Sequence, residues 1–134
     1  MVIETPTSPQ LLIADDNQSF REILRELLEP TLVQVHEVDC GEEAVEYSKE
    51  VRIDIVLLDL HMHVMSGLEA MRVLKQLNAV RPCILITSDD SSEVRQDALD
   101  ADAYTVLGKP VFRRELCKTV TSALEEAYSG PTSL

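Results

Sequence analysis

Five short apolar runs alternate with five amphipathic stretches along this chain, and that alternation leaves few folds open. The most apolar run is Ile53-Asp54-Ile55-Val56-Leu57-Leu58-Asp59. It is too brief for a helix and rich enough in branched residues to read as a buried strand that leaves the core at a carboxylate. Asp59 by itself could simply cap a turn or the next helix, as Asp often does. The remainder of the chain has to decide.

The other runs are Gln10 to Ala14, which leads into Asp15-Asp16; residues 32–38, whose mixture of Val with Gln, His and Glu predicts a less buried strand; residues 83–86, which end in Thr87-Ser88 and Asp89-Asp90; and residues 104–107, closed by Gly108-Lys109-Pro110. Helical spacing of three and four joins Phe20, Ile23, Leu24, Leu27 and Leu28 before Pro30, then Ala44, Val45, Ser48 and Val51 after a break at Gly41. It recurs at Leu68, Met71, Leu74 and Leu77 from Gly67, at Val94, Ala98 and Leu99 behind a serine cap at Ser91 or Ser92, and at Leu116, Val120, Ala123, Leu124 and Ala127. Strict alternation of this kind predicts an α/β fold: a single doubly wound five-stranded parallel sheet, flavodoxin-like, with right-handed crossovers and helices on both faces.

At 134 residues the chain holds one core of ordinary size. Residues 1–9 contain two prolines and no helical period and read as a disordered leader, residues 10–128 as the domain, and residues 129–134 as a short polar tail. No run is long enough to span a membrane and the start lacks a basic segment followed by an apolar one, so a cytoplasmic location is expected. Three widely spaced cysteines, Cys40, Cys83 and Cys117, read as buried or half-buried thiols and not as a disulfide or zinc framework. A formal net charge of −12 argues against nucleic acid as a direct ligand, because phosphate binding needs a cationic footprint.

In a parallel sheet the carboxyl ends of the strands share one edge, where such folds place their ligands. That edge would carry Asp15, Asp16, Asp59, Thr87 and Lys109. Three carboxylates in one cleft repel by several kcal/mol, about 4 kcal/mol for each pair 4 Å apart at an intermediate dielectric. A cation must therefore compensate, and the candidates are the ammonium of Lys109 and a hard divalent ion such as Mg²⁺, which suits few carboxylates, open water positions and a phosphoryl oxygen. Neither glycine-rich nucleotide-binding pattern occurs, so any phosphate should be small or covalently attached.

Asp15-Asp16, Asp59-Leu60-His61-Met62 with Gly67 eight residues beyond Asp59, Thr87-Ser88 and Lys109-Pro110 occur in order and at matching spacing, and together they resemble the receiver domain of two-component response regulators. The similarity runs from about Gln10 to Tyr128. It implies that Asp59 is the phosphoacceptor and nucleophile, taking a phosphoryl group from a histidine kinase or a histidine phosphotransfer protein. It implies that Asp16, Asp59 and the backbone carbonyl of His61 bind Mg²⁺ directly, that Asp15 acts mainly through metal-bound water, and that Thr87 and Lys109 contact phosphoryl oxygens. Output would pass through the fourth and fifth helical units to a downstream protein or a second copy.

Two departures bear on this expectation. The family commonly has an aromatic residue three positions before the lysine, where this chain has Val106, which leaves Thr87 and the loop before the fourth helix as the relay; Tyr104 does not fill that role. A proline usual four residues after the acceptor is His63 here, and His61 and His63 read as loop histidines on a wet rim, since an H-x-H pair alone is too few ligands for zinc. Val106 keeps open a receiver-like interaction module that works without phosphorylation. A small phosphatase would need a general acid near Asp59, for which no residue stands out.

Overall fold

The computed structural model describes residues 8–129, except Asp90. Five strands, β1 (Gln10–Ala14), β2 (Gln34–Val38), β3 (Ile55–Asp59), β4 (Cys83–Thr87) and β5 (Thr105–Gly108), form one parallel sheet in the order β2-β1-β3-β4-β5. The helices are α1 (Gln18–Leu27), α2 (Gly41–Glu50), α3 (Gly67–Leu77), α4 (Ser92–Asp100) and α5 (Arg113–Ser129). This is the doubly wound architecture expected from the alternation, with the strand order reversing between β1 and β3.

Side chains alternate across the sheet with the two-residue period of a strand, and each set meets different helices. Leu12, Val56, Leu58 and Leu85 pack with Ala44 of α2, Met71 and Leu74 of α3 and Ala98 of α4. Leu11, Ile13, Ile55, Leu57 and Ile84 face the other way, against Leu24 of α1 and Leu116, Val120 and Ala123 of α5. Every residue of β3 and β4 is buried, as strands covered on both faces must be, whereas the edge strand β2 is only partly covered.

Several boundaries differ from the sequence reading for local reasons. Residues 29–31 form a 3₁₀ turn with Pro30 in its first turn, and Leu32 follows at φ 60°, so β2 begins at Gln34 and not at residue 32. β2 has ended before Gly41, as the break there implied, and α2 begins at that glycine. Ile53 is buried but lies outside the ladder; the strand starts two residues later because the Asp54 amide donates to the Gln10 carbonyl and its carboxylate turns back on the Gln10 amide at 2.7 Å. That carboxylate also takes hydrogen bonds from Arg52 Nε at 3.1 Å and from the Tyr128 hydroxyl, joining β1, β3 and α5 at the amino edge of the sheet. Of the expected leader, residues 1–7 lie outside the described residues, while Pro9 is buried and its carbonyl accepts from Gln34 at 2.8 Å. Residues 130–134 of the expected tail also lie outside them. The three cysteines are free thiols, Cys83 buried and the other two partly so.

Helix starts set the loops that surround the carboxyl edge. Asn17 caps α1 through the Phe20 amide, Ser66 and Glu69 form a reciprocal capping box on α3, and Ser91 caps α4. Gly67 is the tightest point. A Cβ there would stand 2.3 Å from the Asp59 carbonyl oxygen and 2.9 Å from the Leu60 Cα, while the Gly67 amide donates to the Leu60 carbonyl at 2.9 Å. The glycine eight residues beyond Asp59 is thus what lets α3 start directly beneath the end of β3. Gly67→Ala should destabilise the domain by about 2–3 kcal/mol, read as a lower urea midpoint at unchanged slope.

Candidate functional site

The registers bring the ends of four strands level. Ala14 lies opposite Leu58, Asp59 opposite Ile86, and Thr87 opposite Gly108. Side chains just past those positions therefore gather at one edge. Oxygen atoms of Asp15, Asp16 and Asp59 all lie within 4.8 Å of one another. Asp15 and Asp59 are buried, whereas Asp16 is open to solvent.

Lys109 reaches in from the end of β5. Its Nζ is 3.5 Å from Asp59 Oδ1 and 3.9 Å from Asp15 Oδ2, and it lies 4.4 Å from the centroid of the Phe20 ring. The face of an aromatic ring attracts a cation, so Phe20 is a further support for the ammonium. The Lys109 amide donates to the Thr87 carbonyl at 2.8 Å, which ties the lysine to β4. Thr87 is fully buried, and its hydroxyl accepts from the Asp89 amide at 2.9 Å. Asp89 in turn accepts from the Ser91 amide at 3.3 Å, which carries the connection to the cap of α4.

The loop after β1 is fixed twice: the Asn17 amide donates to Asp15 Oδ1 at 2.8 Å, and Arg21 donates to the Asp15 carbonyl at 2.6 Å. His61 is exposed, and its backbone amide supports the ionised form of Asp59. His63 is also exposed but stands closer to the chemistry, with Nε2 3.7 Å from Asp16 Oδ2. The sequence reading left it on the rim and missed this contact, as it missed Phe20. Val106 is buried, 3% exposed, so no ring turns at that position.

Burial is the largest influence on both inner carboxylates and raises their pKa above the ordinary 3.8. At Asp59 the opposing pull comes first from Lys109 and then from the His61 backbone; at Asp15 it comes first from the Asn17 amide. Neighbouring carboxylates add to the rise at each. One lysine therefore does not neutralise this edge, and the oxygen-rich, partly desolvated donor set has the character of a hard divalent cation site.

The chain matches the response regulator receiver domain family over residues 11–121, and it belongs to that family. It is 32% identical over 115 residues to the chemotaxis protein CheY of Halobacterium salinarum, covering 86% of this chain and 96% of that protein. It is 35% identical over 119 residues to the cyclic di-GMP phosphodiesterase response regulator RpfG of Xanthomonas campestris, covering 86% of this chain but only 32% of that longer protein. Among solved structures, the CheY-like receiver domain protein of Methanospirillum hungatei superposes with a TM-score of 0.86 at 23% identity, over 92% of this chain and 98% of that one. Receiver domains work in phosphorylation-based two-component signalling with histidine kinases and effectors, and are generally Mg²⁺-dependent. No described helix is long and apolar enough to cross a membrane.

The raised pKa of Asp59 fixes the sign of a stability change. A folded state that holds this proton more tightly than the unfolded chain loses stability as pH rises from about 4 through the raised value. Without divalent cations at pH 7, Asp59→Asn should melt above the wild type. The difference should vanish as pH falls towards 3.8, and excess Mg²⁺ should reverse the order of the two melting points.

Proposed function

We propose that this domain is a phosphorylation-dependent switch whose phosphoacceptor is Asp59. The observation that carries the reading is the grouping of Asp59 with two further carboxylates and the Lys109 ammonium at 3.5 Å, on the strand edge where this fold places its ligands. Asp59 needs no general base, because it is ionised at neutral pH. One of its oxygens bonds to phosphorus as the nitrogen–phosphorus bond of a partner's phosphohistidine breaks, and the imidazole leaves with the bonding electrons. In such transfers the protein mainly positions groups and neutralises spreading charge.

Asp15, Asp16 and Asp59, with the His61 carbonyl, are the groups that would hold Mg²⁺: Asp16, Asp59 and the carbonyl directly, Asp15 mainly through bound water. The ion, when bound, supplies charge neutralisation for the transferring phosphoryl group. Lys109 adds the second positive charge, and the Thr87 hydroxyl donates to a phosphoryl oxygen. To do so it gives up its role as acceptor for the Asp89 amide only if the hydroxyl moves. The bonds from Thr87 to Asp89 and from Asp89 to Ser91 would carry that movement to the start of α4, so the relay runs through the β4–α4 loop and no aromatic ring is needed. Phosphate would then shift the population towards an arrangement that presents α4, β5 and α5 to a downstream protein or a second copy. Slow attack of water on phosphorus would break the Asp59 acyl phosphate and reset the switch. A cytoplasmic setting fits a kinase-driven switch of this kind.

Burial of Val106 favours one alternative, an interaction module that binds its partner whether or not Asp59 is phosphorylated. Incubation with acetyl phosphate followed by intact-mass measurement separates the two. A single phosphoryl adduct should form with Mg²⁺, disappear on chelation and be absent from Asp59→Asn; Lys109→Ala should reduce its yield by at least about tenfold. Lack of any adduct on the wild-type chain would remove the phosphoacceptor reading and leave the module.

A further inference from the structure

His63 is the one imidazole that reaches the acidic cluster among the described residues, and the function proposed above makes no use of it. Its Nε2 lies 3.7 Å from Asp16 Oδ2, and its ring is 93% exposed, so no packing has to be broken for it to turn. The backbone holds it at the cluster's mouth. The Met65 amide donates to the His63 carbonyl at 2.8 Å, closing a three-residue turn in which Val64 is at φ 67°.

Ligand atoms of one octahedral ion at metal distances of about 2.1 Å stand about 3.0 Å apart when adjacent and about 4.2 Å apart when opposite. The separation of His63 Nε2 from Asp16 Oδ2, 3.7 Å, is longer than the adjacent spacing, so the imidazole would have to move closer to become a neighbouring ligand. The three carboxylates meanwhile offer one oxygen each within 4.8 Å of the others. His63 stands outside that group, next to Asp16 alone, so its exposed side chain would have to turn inward to join the carboxylates around one cation.

Resting on the reading of this cluster as a cation site, we propose that His63 supplies an imidazole nitrogen to the ion held by Asp15, Asp16 and Asp59. The consequence is selectivity: the site should favour Mn²⁺ and Co²⁺ over Mg²⁺. Mg²⁺ prefers oxygen and sheds its water reluctantly, whereas first-row transition dications accept imidazole readily.

Mn²⁺ binding to the full chain at pH 7.5 tests this directly. Loss of the free-ion electron paramagnetic resonance signal gives the affinity, electron spin echo modulation reports a coordinated nitrogen, and displacement of Mn²⁺ gives the affinity for Mg²⁺. Nitrogen modulation is expected in the wild type and absent from His63→Gln. The latter should bind Mn²⁺ about tenfold more weakly, the scale at which even outer-shell partners of metal ligands act, while its Mg²⁺ affinity stays within about twofold. Its melting point without metal should match the wild type, which excludes a folding defect. Absence of nitrogen modulation in the wild type, or an unchanged preference for Mn²⁺ over Mg²⁺ in His63→Gln, overturns the proposal. If Mg²⁺ still binds and Asp59 still acquires phosphate in that case, only the role of His63 fails. If no dication binds the wild type, the cation site fails with it.

Discussion

Electrostatic crowding at the carboxyl edge governs this molecule. Two buried carboxylates and one exposed carboxylate share a space narrower than the usual screening distance, and one ammonium faces them. At an intermediate dielectric a pair of like charges 4 Å apart repels by about 4 kcal/mol, comparable with a large part of the stability of an ordinary domain. Such an arrangement persists because the hydrophobic layers on either side of the sheet fix the strand ends independently. Neither Asp15 nor Asp59 chooses its own position; the buried runs that precede them do.

The same constraint explains why so few side chains control the site. Lys109 is held through its backbone by Thr87, through its ammonium by Asp59 and Asp15, and over the ring of Phe20. Thr87 is linked through Asp89 to the beginning of α4. Lys109 and Thr87 thus join Asp59 to the ends of β4 and β5. Val106 fills its place with a compact, buried side chain, and the hydrogen bonds that join Thr87 to the start of α4 run through the β4–α4 loop.

Most of the architecture could be read from the residues because both strand burial and helix amphipathicity leave periodic marks. The residues past four of the strands were visible for the same reason: each is the first polar position after an apolar run. Where the reading went astray, the cause was local backbone chemistry. Leu32 looks like strand by composition, yet the preceding Glu29-Pro30-Thr31 turn places it at positive φ. Asp54 sits in the middle of an apolar run with no sign of its three partners, which come from positions 10, 52 and 128. His63 carries no periodic mark at all, since its approach to Asp16 depends on how one turn of the loop closes.

Asp54 gives the domain a polarity of a different kind. At the amino edge a single carboxylate is saturated by a backbone amide, a guanidinium and a phenol, while at the carboxyl edge Asp15 and Asp59 share one ammonium with Asp16 beside them. One rim is locked and the other is frustrated. A charge added at the frustrated rim would fall on the loops there, at the end of the sheet opposite the knot that ties β1, β3 and α5 together.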